Sequence, residues 1–153
     1  MDEFLENSVF ELKRADFLIF VSLKYSAVVE IMRNGLSRLI DSMSHIIDGY
    51  LHDLENENKI MEVPENTIAK VKLLKTNCVQ IEDYLDFYLF LKKLMKSDFT
   101  KDGEFRKRLK MTAKVMENNQ GEIVEVDIDT LKKYYKKTQD FVDSYKQLKS
   151  SDE

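Results

Sequence analysis

The chain of 153 residues has one cysteine, one proline, four glycines and no tryptophan, and each scarcity removes a class of protein. With Cys78 alone, no intrachain disulfide can form, and one thiol beside seven methionines suits a reducing compartment. So few glycines and prolines exclude a collagen-like or loop-dominated chain. The longest unbroken apolar run is Phe17 to Val21, far short of the roughly 20 residues a membrane-spanning helix needs, so no membrane is expected among the partners. The first residues carry Asp2, Glu3 and Glu6 and no basic stretch, which does not fit a secretory leader, and a cytoplasmic location is the expectation. GxGxxG, GxxxxGK[ST], GxSxG and HExxH are all missing, as are an EF-hand loop and a cysteine pair for zinc, so no metal or cofactor is expected. Cys78 has no base nearby in sequence, since His45 and His52 lie well upstream, and reads as a packing thiol.

What is present favours one mostly helical domain over residues 1–153. The chain is 43% hydrophobic and 34% charged with a formal net charge of −4, too apolar and too nearly neutral to stay disordered. At this length it can bury roughly 68–70% of its unfolded surface without disulfide or metal. Tyr25, Val28, Met32, Leu36, Leu39, Met43, Ile46, Ile47, Tyr50 and Leu54 recur at three and four. That spacing predicts one long amphipathic helix from about Ser22 to Asn58, with Ser22 as its cap and Pro64 beyond its end. Gly35 and Gly49 inside it each cost roughly 1 kcal/mol relative to Ala, which points to close helix approaches. Before it, Asp2 to Phe20 is helical in pattern, and the run Phe17 to Val21 spreads round the axis, predicting burial on most sides or in a subunit interface.

Glu65 to Lys75 reads as a short basic helix and Val79 to Lys96 as a longer one rich in aromatics. From Leu109 to Met116 and Glu122 to Ile128, β-branched and alternating residues flank the turn-forming Asn118-Asn119-Gln120-Gly121, predicting a hairpin. Asp127 or Asp129 then caps a last helix ending near Leu148, and residues 149–153 read as a frayed tail. The fold class is therefore mainly α: an antiparallel bundle of four to five helices with a small β-hairpin at about 108–128 before the last helix.

Charge is uneven along the chain. Residues 1–66 hold 6 Lys and Arg against 13 Asp and Glu, whereas residues 67–153 hold 18 against 15. The second part includes Lys101, Arg106, Lys107, Arg108 and Lys110, then Lys132, Lys133, Lys136 and Lys137 around Tyr134 and Tyr135. Cations interleaved with aromatics suit a phosphate backbone and stacking bases, so these nine are the candidate nucleic-acid contacts. The bland alternative is the polar face of ordinary helices, and the sequence pI of about 5.4 weighs toward it.

Asp41, His45, Asp48 and His52 share one helix stripe, but at about 1.5 Å rise per residue its ends lie roughly 16 Å apart, too far to share one ion. Arg38 and His45 project from the same side, and here a resemblance enters. A small bundle with a long second helix and an Arg-x6-His pair resembles the HEPN superfamily, the higher-eukaryote and prokaryote nucleotide-binding helical domains. That resemblance implies an all-helical, usually dimeric protein. In its active members Arg and His meet across the dimer and act on the RNA 2′-hydroxyl and phosphate, so Arg38 and His45 become the candidate catalytic pair. Such chemistry needs a base of near-neutral pKa and a fixed cation. Two features depart from the pattern: apolar Leu39 follows Arg38, and the pair lies in an early helix. The expectation is accordingly a non-enzymatic interaction protein, homodimeric through its first and second helices. The alternative is an RNA-binding or metal-independent RNA-cleaving protein, and a third is a partner for another protein by strand addition to the hairpin.

Overall fold

The computed structural model describes residues 2–151. Helix α1, Glu3–Phe17, begins where the Asp2 carboxylate accepts the Leu5 amide at 3.0 Å, with Glu3 and Glu6 in its first turn. It runs on through a π turn, Leu18–Ser22, into a last short helical turn, α2, Leu23–Tyr25. Helix α3 spans Val29–Asn56, α4 Thr67–Asn77, and α5 Glu82–Lys96 after a 3₁₀ turn at Val79–Ile81. Strands β1 (Asp98–Asp102), β2 (Lys110–Glu117) and β3 (Gln120–Asp127) follow, and helix α6 covers Ile128–Ser151.

The mainly helical class with a small sheet before the last helix is what the apolar spacing requires. Leu36, Leu39, Met43, Ile46 and Leu51 of α3 are fully buried, and α3 packs on α1, α4, α5 and α6. Ser8 and Ser42 interlock the first pair: each hydroxyl donates to the other residue's carbonyl, at 2.8 and 2.9 Å, which leaves no buried polar atom unpaired there. Both helix glycines mark close approaches. A Cβ at Gly49 would stand 2.6 Å from the Tyr145 hydroxyl, and one at Gly35 3.1 Å from Ile19.

Four expectations need correction. The long helix starts at Val29, not Ser22: Ser22 keeps helical angles inside the π turn and caps nothing, and the chain breaks at residues 26–28. Val28 has no capping side chain, so the Val29 amide is instead met at 3.1 Å by Glu104, 75 residues away, which sequence spacing cannot reveal. The bundle does not cover the run Phe17 to Val21 all round: Ile19 is buried, but Phe17 is 60% exposed, so of the two alternatives only the subunit interface stays open. The hairpin is part of a three-stranded antiparallel sheet of order β1-β2-β3, with Thr100 opposite Thr112 and Met111 opposite Val126. β1 is polar and exposed along most of its length, which hides it from a hydrophobic pattern. Lastly, Lys149–Ser151 continue α6, and Lys149 is held by Asp2 and Asp53; the rest of the expected tail lies outside the described residues.

The expected turn is a two-residue link. Asn118 and Asn119 both take positive φ, 51° and 65°, the pattern that matches the twist of adjoining strands. The sheet's inner face, Met111, Ala113, Val115 and Val126, is buried, and β2 lies on α5 while β3 lies on α6. Arg33 of α3 ties β1 in, donating to the Met95 carbonyl at 2.9 Å and stacking 4.3 Å from the Phe99 ring centre. Asp127 caps α6 by accepting the Thr130 amide at 2.7 Å.

Candidate functional site

Three segments distant in sequence converge at one end of the bundle: the π turn with α2, the loop between β1 and β2, and the start of α6. Between them lies a groove of about 780 Å³ whose lining includes Lys24, Arg106, Lys107, Arg108, Lys110 and Lys132. π turns are rare and, where they occur, frequently lie at functional sites; here the turn precedes Lys24 and carries Phe20, both on the groove wall. Phe20 is held edge-on to Tyr135, with ring centres 5.2 Å apart, and Lys132 stands 5.5 Å above its ring.

The β1–β2 loop is fixed rather than free. Gly103, at φ +71°, has no room for a side chain, because a Cβ would stand 2.6 Å from the Arg108 carbonyl. Phe105 also takes positive φ, 65°, an outlier for a bulky residue that costs about 1–3 kcal/mol. The surroundings hold it there: its amide donates to the Ala27 carbonyl at 2.6 Å, and the Arg106 amide donates to Gly103 at 3.0 Å. With Glu104 capping α3 on one side, the Phe105 ring is turned outward, 76% exposed at the groove's lip.

The groove also holds Asp102, Glu125, Asp127 and Asp129. Glu125 is taken by Lys110 at 3.2 Å. The amide and then the hydroxyl of Thr130 hold the Asp127 carboxyl below the usual carboxylate range, so it stays an ionised helix cap. Lys24, Arg106, Lys107, Arg108 and Lys132 form no ion pair among the described residues. Five cations beside exposed aromatic surface can bind anions.

The structure sorts the nine cations proposed from sequence. Arg106, Lys107, Arg108, Lys110 and Lys132 line the groove. Lys101 does not; it approaches Glu104 at 3.8 Å. Lys133, Lys136 and Lys137 face a shallow depression elsewhere on α6, where Lys136 pairs with Asp140 at 3.1 Å and Lys137 lies over Phe87. Burial pushes the Tyr134 and Tyr135 phenols up, in keeping with packing positions against Phe87, Phe90 and Phe20 rather than stacking platforms. Sequence reading missed Lys24, Phe20 and Phe105. Phe105 sits directly before the basic run, which was a usable signal; Lys24 had none until the fold brought it there.

Arg38 and His45 lie elsewhere, midway along α3. The Arg38 guanidinium donates to Glu11 at 2.9 Å and reaches Asp41 at 3.1 Å, so two carboxylates already neutralise it. His45 is half-buried. Further along the same stripe Asp48 pairs with Lys70 of α4 at 2.8 Å, and His52 packs against Phe4. Among the described residues no three His, Cys, Asp or Glu side chains come together as metal ligands. Burial pushes the Cys78 thiol up, away from the reactive thiolate.

No protein-family model matches the chain, and no curated protein or solved structure matches it.

Proposed function

We propose that the protein is a non-enzymatic helical binding module of the cytoplasm that holds single-stranded RNA in the groove between the π turn, the β1–β2 loop and the start of α6. One observation carries the reading: Lys24, Arg106, Lys107, Arg108 and Lys132 converge there without carboxylate partners. Each cation that meets a phosphate releases condensed counterions, which supplies affinity without sequence preference. Phe105, rigid and outward, offers a face on which a base stacks, worth about 1–3 kcal/mol. A net-negative chain with one concentrated basic groove binds locally instead of coating itself with nucleic acid.

Binding without cleavage is the form of this reading we favour. Arg38 is neutralised by Glu11 and Asp41, which leaves a ribonuclease site at Arg38 and His45 without its free cation. On this reading the likeness to the HEPN superfamily is one of outline, and the RNA surface lies away from the Arg-x6-His pair. The protein acts as a homodimer.

The test is RNA affinity against salt for wild type and the variant Arg106→Glu/Lys107→Glu/Arg108→Glu, whose three side chains are exposed. Wild-type affinity should fall steeply with salt. The variant should fold normally, bind at least about tenfold more weakly and show a shallower slope, by up to about 0.7 per lost phosphate contact. Affinity indifferent to salt, or unchanged by the triple reversal, overturns the reading. Loss of RNA cleavage in His45→Ala would restore the catalytic alternative.

A further inference from the structure

The outer side of α1 carries an apolar strip that nothing in the bundle covers. Phe10 is 61% exposed, Phe17 60% and Val21 38%, and Arg14 lies between the two phenylalanines with its guanidinium 5.8 Å from the Phe10 ring centre. Of the other large exposed apolar side chains of the helical part, Tyr25 lines the groove, and Met61, Ile68, Val79 and Leu148 stand in separate places along the chain, which is ordinary for a protein surface. Three on one helix, spaced by seven and by four, form a continuous patch. At about 150–250 Å² per aromatic side chain, the open parts of Phe10, Phe17 and Val21 with the stems of Lys13 and Arg14 offer roughly 400–500 Å². One such patch is too small for a large partner, but two facing each other bury on the order of 1,000 Å², the lower bound for a specific interface.

We infer that this strip pairs with the same strip of a second copy of this chain, the two α1 helices antiparallel about a two-fold axis passing near residues 15 and 16. The charges along the helix select the direction. Its start is acidic and exposed at Glu3 and Glu6; further along, Lys13, Arg14 and Lys24 outnumber the exposed Asp16 and the half-buried Glu11, the latter already paired with Arg14 and Arg38. Parallel pairing sets Arg14 on Arg14 and Lys24 on Lys24, which repels. Antiparallel pairing sets Phe10 against the second copy's Val21 and Arg14 over the face of its Phe17, and leaves Lys24 in the groove. Each contact occurs twice, as a two-fold interface demands.

The pairing has a consequence that rests on the groove reading above. Lys24 lies eight to nine positions from the axis, so at about 1.5 Å per residue the two grooves stand roughly 25 Å apart along the pair. They belong to one assembly and can engage two stretches of one RNA.

The experiment is solution mass by light scattering across a wide concentration range without RNA, for wild type and for Phe10→Glu/Phe17→Glu, with far-UV dichroism to confirm that the variant folds. Wild type should be a dimer and the variant a monomer. Direction is read from Arg14→Cys and Lys24→Cys under mild oxidation, with Cys78 buried in both. Arg14→Cys, close to the axis, should form a disulfide-linked dimer, whereas Lys24→Cys should not. A monomeric wild type, a dimer that survives the double variant, or equal cross-linking at both positions overturns the inference. A monomer that still binds RNA would overturn the interface and leave the groove standing, and a dimer that binds no RNA would do the reverse.

Discussion

The two ends of the bundle are built from the same three helices and treat charge in opposite ways. At the end where α1 begins and α3 and α6 finish, the partly buried charges of Asp2, Asp53 and Lys149 are paired with one another. The Tyr145 hydroxyl, fully buried, donates to Asp2 at 2.9 Å, and Lys149 bridges Asp53 at 2.6 Å and Asp2 at 3.3 Å. At the other end, where α2 finishes and α3 and α6 begin, Lys24, Arg106, Lys107, Arg108 and Lys132 stand around open space. Paired charges hold three helix ends in register, because each group removed leaves another unsatisfied. Unpaired surface cations add little to stability and raise the local positive potential, which serves only a ligand. One end secures the fold, and the other is free to bind.

The sharpest way to break that comparison is to remove one aromatic from each end. Tyr145→Ala deletes a fully buried ring that packs on Tyr50 at 4.9 Å, takes from Asp2 its hydroxyl donor and from Lys149 the ring it lies over at 5.5 Å. It should cost about 3–5 kcal/mol in denaturant unfolding. Phe105→Ala removes an exposed ring and should change stability by no more than about 0.5 kcal/mol, while weakening RNA binding. Equal losses of stability at the two sites would refute the division.

A second, smaller contrast uses the two helix glycines. At Gly49 an added methyl would stand 2.8 Å from Cζ of Tyr145 and 3.2 Å from Cβ of Phe4, so the closed end must open to admit it. Gly49→Ala should destabilise by about 1–3 kcal/mol through overpacking. At Gly35 the nearest atom is Cγ1 of Ile19 at 3.1 Å, and a shift of a few tenths of an ångström in that side chain suffices. There the gain in helix propensity, up to about 1 kcal/mol, offsets the crowding, and Gly35→Ala should be near neutral. Thermal midpoints of the two variants decide the matter.

How much of this was legible in the sequence follows from what period and spacing can express. The buried stripe of α3 was, because a long one-sided helix repeats its pattern many times. So was a cap at Asp127 or Asp129, and the structure places it at Asp127, whose neighbours in sequence are its partners in space. The start of α3 was not, since Tyr25 and Val28 continue the apolar rhythm across a break held by Glu104 and the Phe105 amide, far away in sequence. Strand β1 carries almost no apolar signal. At the site, the basic run Arg106 to Lys110 was visible as composition. Its union with Lys24 and Lys132, and the separation of Lys133, Lys136 and Lys137 onto another surface, depend on how α6 lies against the π turn. Pairwise tertiary placement leaves no period in the chain.

The smallest effect is the most specific to the closed end. Burial alone would raise the Asp2 carboxyl, but the Leu5 amide, the Tyr145 hydroxyl and Lys149 together hold it below its ordinary value. Lys149 shows the mirror image: burial alone would lower it, and Asp53 and Asp2 hold it above its ordinary value. A carboxyl depressed by folding adds stability that is present above its unfolded pKa, about 3.9, and is lost as pH falls through the folded value. An ammonium raised by folding adds stability below its unfolded pKa, about 10.4, and loses it as pH rises through the folded value. Asp2→Asn keeps a side-chain oxygen for the Leu5 amide, since Asn caps about as well as Asp, and removes only the charge. Its unfolding free energy should lie under about 1 kcal/mol below wild type through the neutral range, and the gap should close as both proteins are taken below about pH 4. A gap that stays constant into acid would mean that Asp2 acts through its second oxygen as acceptor for the Tyr145 hydroxyl and not through its charge. In that case Asp53 alone fixes Lys149, and the closed end is held by one ion pair instead of a network.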